Sequence, residues 1–137
     1  MKHVLYIVIF LFTITTVAQN EYKLTIEFEE IAFEKGKLFV ALYNTEDSFL
    51  KKPIQGTIVE VNNGKATAVF NNIKSGIYAV SSFYDKNNNK KLDTNFIGIP
   101  KEPTAMSNNA KGNFGHPKFK DAKFTVQEAQ TTIRINY

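Results

Sequence analysis

Apolar and polar side chains alternate one by one along residues 21–31, with Tyr22, Leu24, Ile26 and Phe28 set against Lys23, Thr25, Glu27 and Glu29. Successive side chains of an extended strand point to opposite faces, so this period of two specifies a half-buried antiparallel strand. Residues 35–44 (KGKLFVALYN) are apolar on both faces, Leu38, Val40 and Leu42 opposing Phe39, Ala41 and Tyr43, as in a central strand entered through Gly36. Residues 44–56 are polar, and Phe49 and Leu50 are expected to tuck under them as a short turn. GTIVEV (56–61), Asn62-Asn63-Gly64 and KATAVF (65–70) give the clearest hairpin signal, because Asn and Gly accept the positive φ of a tight reversal. GIYAVSSFYD (76–85) follows, then DAKFTVQ (121–127) and TTIRINY (131–137), with Phe124, Val126, Ile133, Ile135 and Tyr137 facing inward.

No segment carries a helical stripe. Strands this short, separated by turn signals, predict an all-β fold: a Greek-key β-sandwich of about seven strands. Residues 85–121 lack usable periodicity and make one long irregular loop region. A structureless stretch of that length is improbable in a compact domain unless it is functional or held in place.

The 137 residues suit one domain, and a 43% hydrophobic fraction with 12 Phe and 6 Tyr supplies one sizeable core. The beginning of the chain reads differently. Met1-Lys2-His3 give a positive start, VLYIVIFLF (4–12) an apolar run, and TITTVA (13–18) a small-residue ending with Thr16 and Ala18 at the cleavage positions. That is the pattern of a secretory signal peptide at 1–18, leaving a single domain at 19–137. The apolar run is well short of the roughly 20 residues that span a bilayer, so no membrane span is expected in the mature chain. Export points to a periplasmic or secreted protein. With no Cys there is neither a disulfide nor the lipid-bearing residue of a lipoprotein, so the fold rests on its core. The net charge of +4 comes from dispersed lysines and a single Arg, Arg134, which argues against a nucleic-acid partner.

The strongest chemical signal is DKNNNKKLD (85–93). Asp85, Asn87, Asn89 and Asp93 stand at relative positions 1, 3, 5 and 9 of a calcium loop, with Lys91 at position 7 to offer its backbone carbonyl. Alternate residues of such a loop turn oxygens toward one centre, where a hard cation replaces water. Lys90 stands where the sharp turn favours Gly, Phe96 stands where a bidentate Glu is usual, and three lysines oppose two carboxylates. The plainer alternative is an Asn-rich loop whose side chains bond their own backbone. A weak structural Ca2+ helped by a distant carboxylate such as Glu102 is the expectation.

In residues 95–119, Phe96, Ile97 and Ile99 are expected to pin the long loop to the domain, while Ser107, Asn108 and Asn109 form a polar cluster. The sharper reading is a ligand-contacting surface, since binding residues concentrate on loops held by rigid scaffolds. His116 is the only His beyond the leader and has no metal-ligand spacing. No serine sits in a nucleophile-elbow context, so no catalytic residue is assigned.

The succession KSGIYAVSSFYDKNNNKKLDTNFIGIPKEP, then MSNNAKG and HPKFKDAKF, resembles small secreted bacterial proteins grouped as domain of unknown function 2141, and GKLFVALYN (36–44) fits that family's first core strand. The resemblance implies a transthyretin-like or carboxypeptidase-regulatory-like β-sandwich. The family's loop is similar to D-x-N-G-N-G-x-L-D; Asp85, Asn87, Asn89, Leu92 and Asp93 match it, and Asn88 and Lys90 replace the two glycines. Together these features lead to the expectation of an exported, non-enzymatic binding or accessory module for an extracytoplasmic protein or ligand. The alternatives are a structural component of a cell-surface assembly, or a metal-assisted hydrolase using Asp85, Asp93 or Glu102.

Overall fold

The computed structural model describes residues 21–113 and 115–137; the leader expected at 1–18 lies outside them. Eight strands form: β1 (Tyr22–Glu29), β2 (Lys35–Tyr43), β3 (Gln55–Asn62), β4 (Ala66–Ile73), β5 (Gly76–Tyr84), β6 (Thr104–Met106), β7 (Phe124–Val126) and β8 (Gln130–Asn136). A 3-10 turn (Ser107–Asn109) and a one-turn helix, α1 (Phe119–Ala122), are the only helical pieces among the described residues. The fold is all-β. One sheet runs β4-β1-β8 and the other β3-β2-β5-β6, with β7 also paired to β5.

The alternation in β1 becomes burial. Leu24, Ile26 and Phe28 are fully enclosed, and they meet Phe70, Ala68 and Ala66 of β4 on one side and Thr131, Ile133 and Ile135 of β8 on the other. The β1–β8 pairing is parallel, the β1–β4 pairing antiparallel. Leu38, Val40 and Leu42 of β2 and Tyr78, Val80 and Tyr84 of β5 join the same cluster, so one core draws on both sheets. Each fully buried Leu, Ile or Phe contributes about 1.5–3 kcal/mol. The entry to β2 depends on Gly36, whose φ of +139° is hard for an L-residue; a Cβ there would also run into the Tyr84 ring. That ring stacks on Phe33 with centroids 4.3 Å apart, and its hydroxyl donates to the Lys35 carbonyl at 2.7 Å.

The expected hairpin at 56–70 is corrected. The reversal itself forms as the residues dictate, Asn63 and Gly64 taking φ of 51° and 71° with Asn62 and Lys65 bonded across it. Beyond that one bridge the strands part: β3 pairs with β2 over Gln55–Asn62, and β4 pairs with β1 in the other sheet. An Asn-Gly turn fixes the reversal but not the partner, and Val61 of β3 and Ala68 and Phe70 of β4 reach the one core from opposite sheets. The expected count of seven strands omits β6, which lies inside the long loop region.

Candidate functional site

The loop between β5 and β6 is built from its own side chains. Asp85 is 6% exposed, and its carboxylate accepts the backbone N–H groups of Asn89 at 3.1 Å and Lys90 at 2.9 Å. Glu102, also 6% exposed, accepts the N–H groups of Lys86 at 2.8 Å and Asp93 at 3.1 Å, clamping both limbs of the loop. Asn87 Oδ1 accepts the Asn89 N–H, and Asn89 Oδ1 accepts the N–H of Lys91. A carboxylate that takes two backbone donors satisfies groups that would otherwise be costly to leave unpaired.

The expected calcium positions partly converge. The amide nitrogens of Asn87 and Asn89 lie 2.6 and 3.0 Å from Asp93 Oδ2. Those are donors facing a carboxylate, which is the opposite of what a cation requires, and Asp85 points its oxygens at backbone N–H groups instead. Among the described residues no three His, Cys, Asp or Glu side chains share a place suited to a metal. Calcium fits only after both amides turn over to present oxygen, at the loss of the two bonds that Asn87 and Asn89 accept from the backbone.

One expectation for residues 95–119 is corrected. Phe96, Ile97 and Ile99 do not pin the loop; all three are exposed. The turn around Asn95 satisfies its own backbone, so nothing draws these side chains inward. Ser107 is a buried clasp: its Oγ accepts the Val80 N–H at 2.9 Å and donates to the Ala122 carbonyl. Asn108 donates to the carbonyls of Asp121 and Lys123, and Asn109 accepts the Asn136 N–H, so the polar cluster ties α1 and β8 to β6.

The concavity lies on the outer face of the β3-β2-β5-β6 sheet, where the register sets it. Ile58, Phe39, Phe83 and Thr104 form one cross-strand row; Gly56, Ala41, Ser81 and Met106 form the next. Phe39 and Phe83 stack with centroids 4.9 Å apart and make one wall. The opposite wall is a second buried cluster, in which Phe49 meets both Tyr43 and Phe119 edge-on at 5.3 and 5.7 Å. Between the walls Gly56, Ala41 and Ser81 leave a trough of about 700 Å³, rimmed by Leu50, Lys51, Leu92, Pro100 and His116. At roughly 4.8 Å per strand, the row from Gly56 to Met106 is about 14 Å long. The Tyr43 and Ser81 hydroxyls meet on this floor, 3.2 Å apart, and burial pushes the Tyr43 hydroxyl above its ordinary range.

A family described as "Uncharacterized protein conserved in bacteria (DUF2141)" matches residues 26–134. The chain belongs to DUF2141. No curated protein and no solved structure shows significant similarity to it. In the loop, Asn88 and Lys90 hold φ of 57° and 64°. The left-handed geometry is kept without the residue that makes it free, and Lys90 carries the larger strain.

The trough of this DUF2141 chain escaped sequence reasoning. Its signal was present in β2 and β5, which are apolar on both faces although only one face joins the core shared by the two sheets.

Proposed function

We propose that the chain is an exported, non-enzymatic binding module: its two sheets form a Greek-key sandwich, released from the leader at 1–18 to the periplasm or medium, and its trough takes a small apolar ligand. The observation that carries this reading is the row Gly56–Ala41–Ser81, small residues on three adjacent strands between two aromatic walls. A volume of about 700 Å³ falls among single-ligand sites, which run from about 300 to 1,000 Å³. The lining favours binding over catalysis. It contains no carboxylate, and the Tyr43 hydroxyl, its pKa raised by burial, keeps its proton and serves with Ser81 to orient a polar end of the ligand. Calcium is auxiliary in this proposal: Asp85, Asn87, Asn89, Asp93 and the Lys91 carbonyl take it weakly, at the cost of turning two amides.

Nile red titration tests the trough. Ala41→Leu fills the floor while keeping the walls, and it weakens dye binding about tenfold, roughly 1.4 kcal/mol, with an unchanged melting temperature. Equal affinity in the two proteins would remove the trough as the site.

A further inference from the structure

Residues 95–99 form a closed turn. Asn95 N–H donates to the Ile99 carbonyl at 2.9 Å and Gly98 N–H to the Asn95 carbonyl at 3.0 Å, while Asn95 Oδ1 accepts the N–H groups of Ile97 and Ile99 at 3.0 and 2.9 Å. With its backbone satisfied, the turn holds its apolar side chains outward. Phe96 is 99% exposed, Ile97 64% and Ile99 54%. An aromatic ring left wholly in water beside two exposed isoleucines marks a contact surface.

The charges of residues 85–102 are sorted by burial: Asp85 and Glu102 are buried, while Lys86, Lys90, Lys91 and Lys101 are exposed. The carboxylates of Asp85, Asp93 and Glu102 are occupied by donors of the loop itself. Lys90, Lys91 and Lys101 are exposed, and neither of the two ion pairs among the described residues involves them. Lys86 instead lies over the Phe33 ring, 5.6 Å from its centroid. The result is an apolar tip on a loop whose exposed charges are lysines, four against three carboxylates over residues 85–102.

We propose that this tip docks the protein on an anionic lipid bilayer, with Phe96, Ile97 and Ile99 entering the interface and Lys90, Lys91 and Lys101 meeting the headgroups. Area and charge both favour a bilayer over a protein. Three side chains offer on the order of 400 Å², about half of what one partner contributes to a standard protein interface. A bilayer accepts a convex tip without a matching pocket. The trough of a second copy is apolar enough to receive Phe96, but it is rimmed by Lys51 and has no carboxylate to complement these lysines.

The chain contains no Trp, so Phe96→Trp places a single reporter at the tip. Its emission shifts to the blue on mixing with vesicles containing phosphatidylglycerol and stays unchanged with pure phosphatidylcholine vesicles. In co-sedimentation with the anionic vesicles, Phe96→Asp loses at least about tenfold in partitioning. Replacing Lys90, Lys91 or Lys101 by Ala loses roughly fivefold each at low salt. Because Phe96 is fully in solvent, these proteins keep the parental melting temperature. An emission spectrum indifferent to anionic vesicles, or equal partitioning of Phe96→Asp and the parent, overturns the proposal. So does a blue shift that grows with protein concentration in the absence of lipid, which would make a second copy the occupant.

Discussion

Glu102→Ala should unfasten the long loop at both ends. The carboxylate is buried and accepts two backbone N–H groups, from Lys86 and Asp93, that have no other partner close by. Hydrogen bonds to a charged group contribute about 1.5–3 kcal/mol each, so the pair is worth roughly 3–6 kcal/mol. Truncation lets water reach N–H groups in a surface loop and recovers part of this, giving an expected loss of about 2–4 kcal/mol. For a domain of this size each kcal/mol corresponds to about 4 °C, so the melting temperature should fall by about 8–16 °C. If the loop opens without global unfolding, the same energy appears locally, as faster amide exchange at Lys86 and Asp93. Glu102→Gln keeps one acceptor oxygen and turns an NH2 toward the other donor, so it should recover less than half of the loss. A Glu102→Ala protein with its melting temperature within about 2 °C of the parent, and with unchanged exchange at both amides, would refute the clamp.

Calcium should shift the melting temperature of the parent only slightly, whereas Asn87→Asp with Asn89→Asp should create a protein that melts lower in chelator and is rescued by millimolar calcium. Three carboxylates then face one another in place of two amide donors, and a rescue of less than about 1 kcal/mol would reject the loop as a latent cation site. Alkaline stability gives another check: burial pushes the Tyr137 hydroxyl well above the tyrosine range, the bond with Ser82 offsetting part of this, and Tyr43 and Tyr78 shift the same way. The folded state therefore holds these protons more tightly than the unfolded chain, so stability is full below about pH 10 and falls as pH rises beyond it; Tyr137→Phe should flatten that fall in denaturant titrations, and an equally steep limb would assign it elsewhere.

The strands were readable because each buries one face. Leu24, Ile26 and Phe28 alternate in the sequence and are enclosed in the structure, and the seven expected strands all form. β6 was not readable: Thr104, Ala105 and Met106 are too few to show a period, and they become a strand only by pairing with Phe83, Ser82 and Ser81. Pairing also defeated the hairpin expectation, because local turn chemistry at Asn63-Gly64 says nothing about which sheet receives the next strand. The loop at 85–93 was legible as a self-bonding Asn-rich turn and as a convergence of Asn87, Asn89 and Asp93, but which atom of each amide faces Asp93 is settled by competition for backbone donors. The trough needs three strand registers at once, and no window of sequence contains Gly56, Ala41 and Ser81 together.

The period of two also explains why trough and loop occur side by side. Along β5, Ser81 and Phe83 face the trough, while Ser82 and Tyr84 turn inward, to the Tyr137 hydroxyl at 3.0 Å and to the Lys35 carbonyl. The next residue is Asp85, which organises the loop, and the chain returns through Glu102 and Pro103, whose carbonyl accepts the Tyr84 N–H at 2.9 Å, into Thr104 opposite Phe83. The stem of the loop and one end of the trough are therefore the same ladder. Loosening Glu102 must disturb the position of Thr104 and Met106 in the trough, whereas filling the trough at Ala41, on the far side of β5, leaves the loop clamp untouched. This asymmetry follows from strand order alone: among the described residues, β6 is the only strand that belongs to both the trough and the returning limb of the loop.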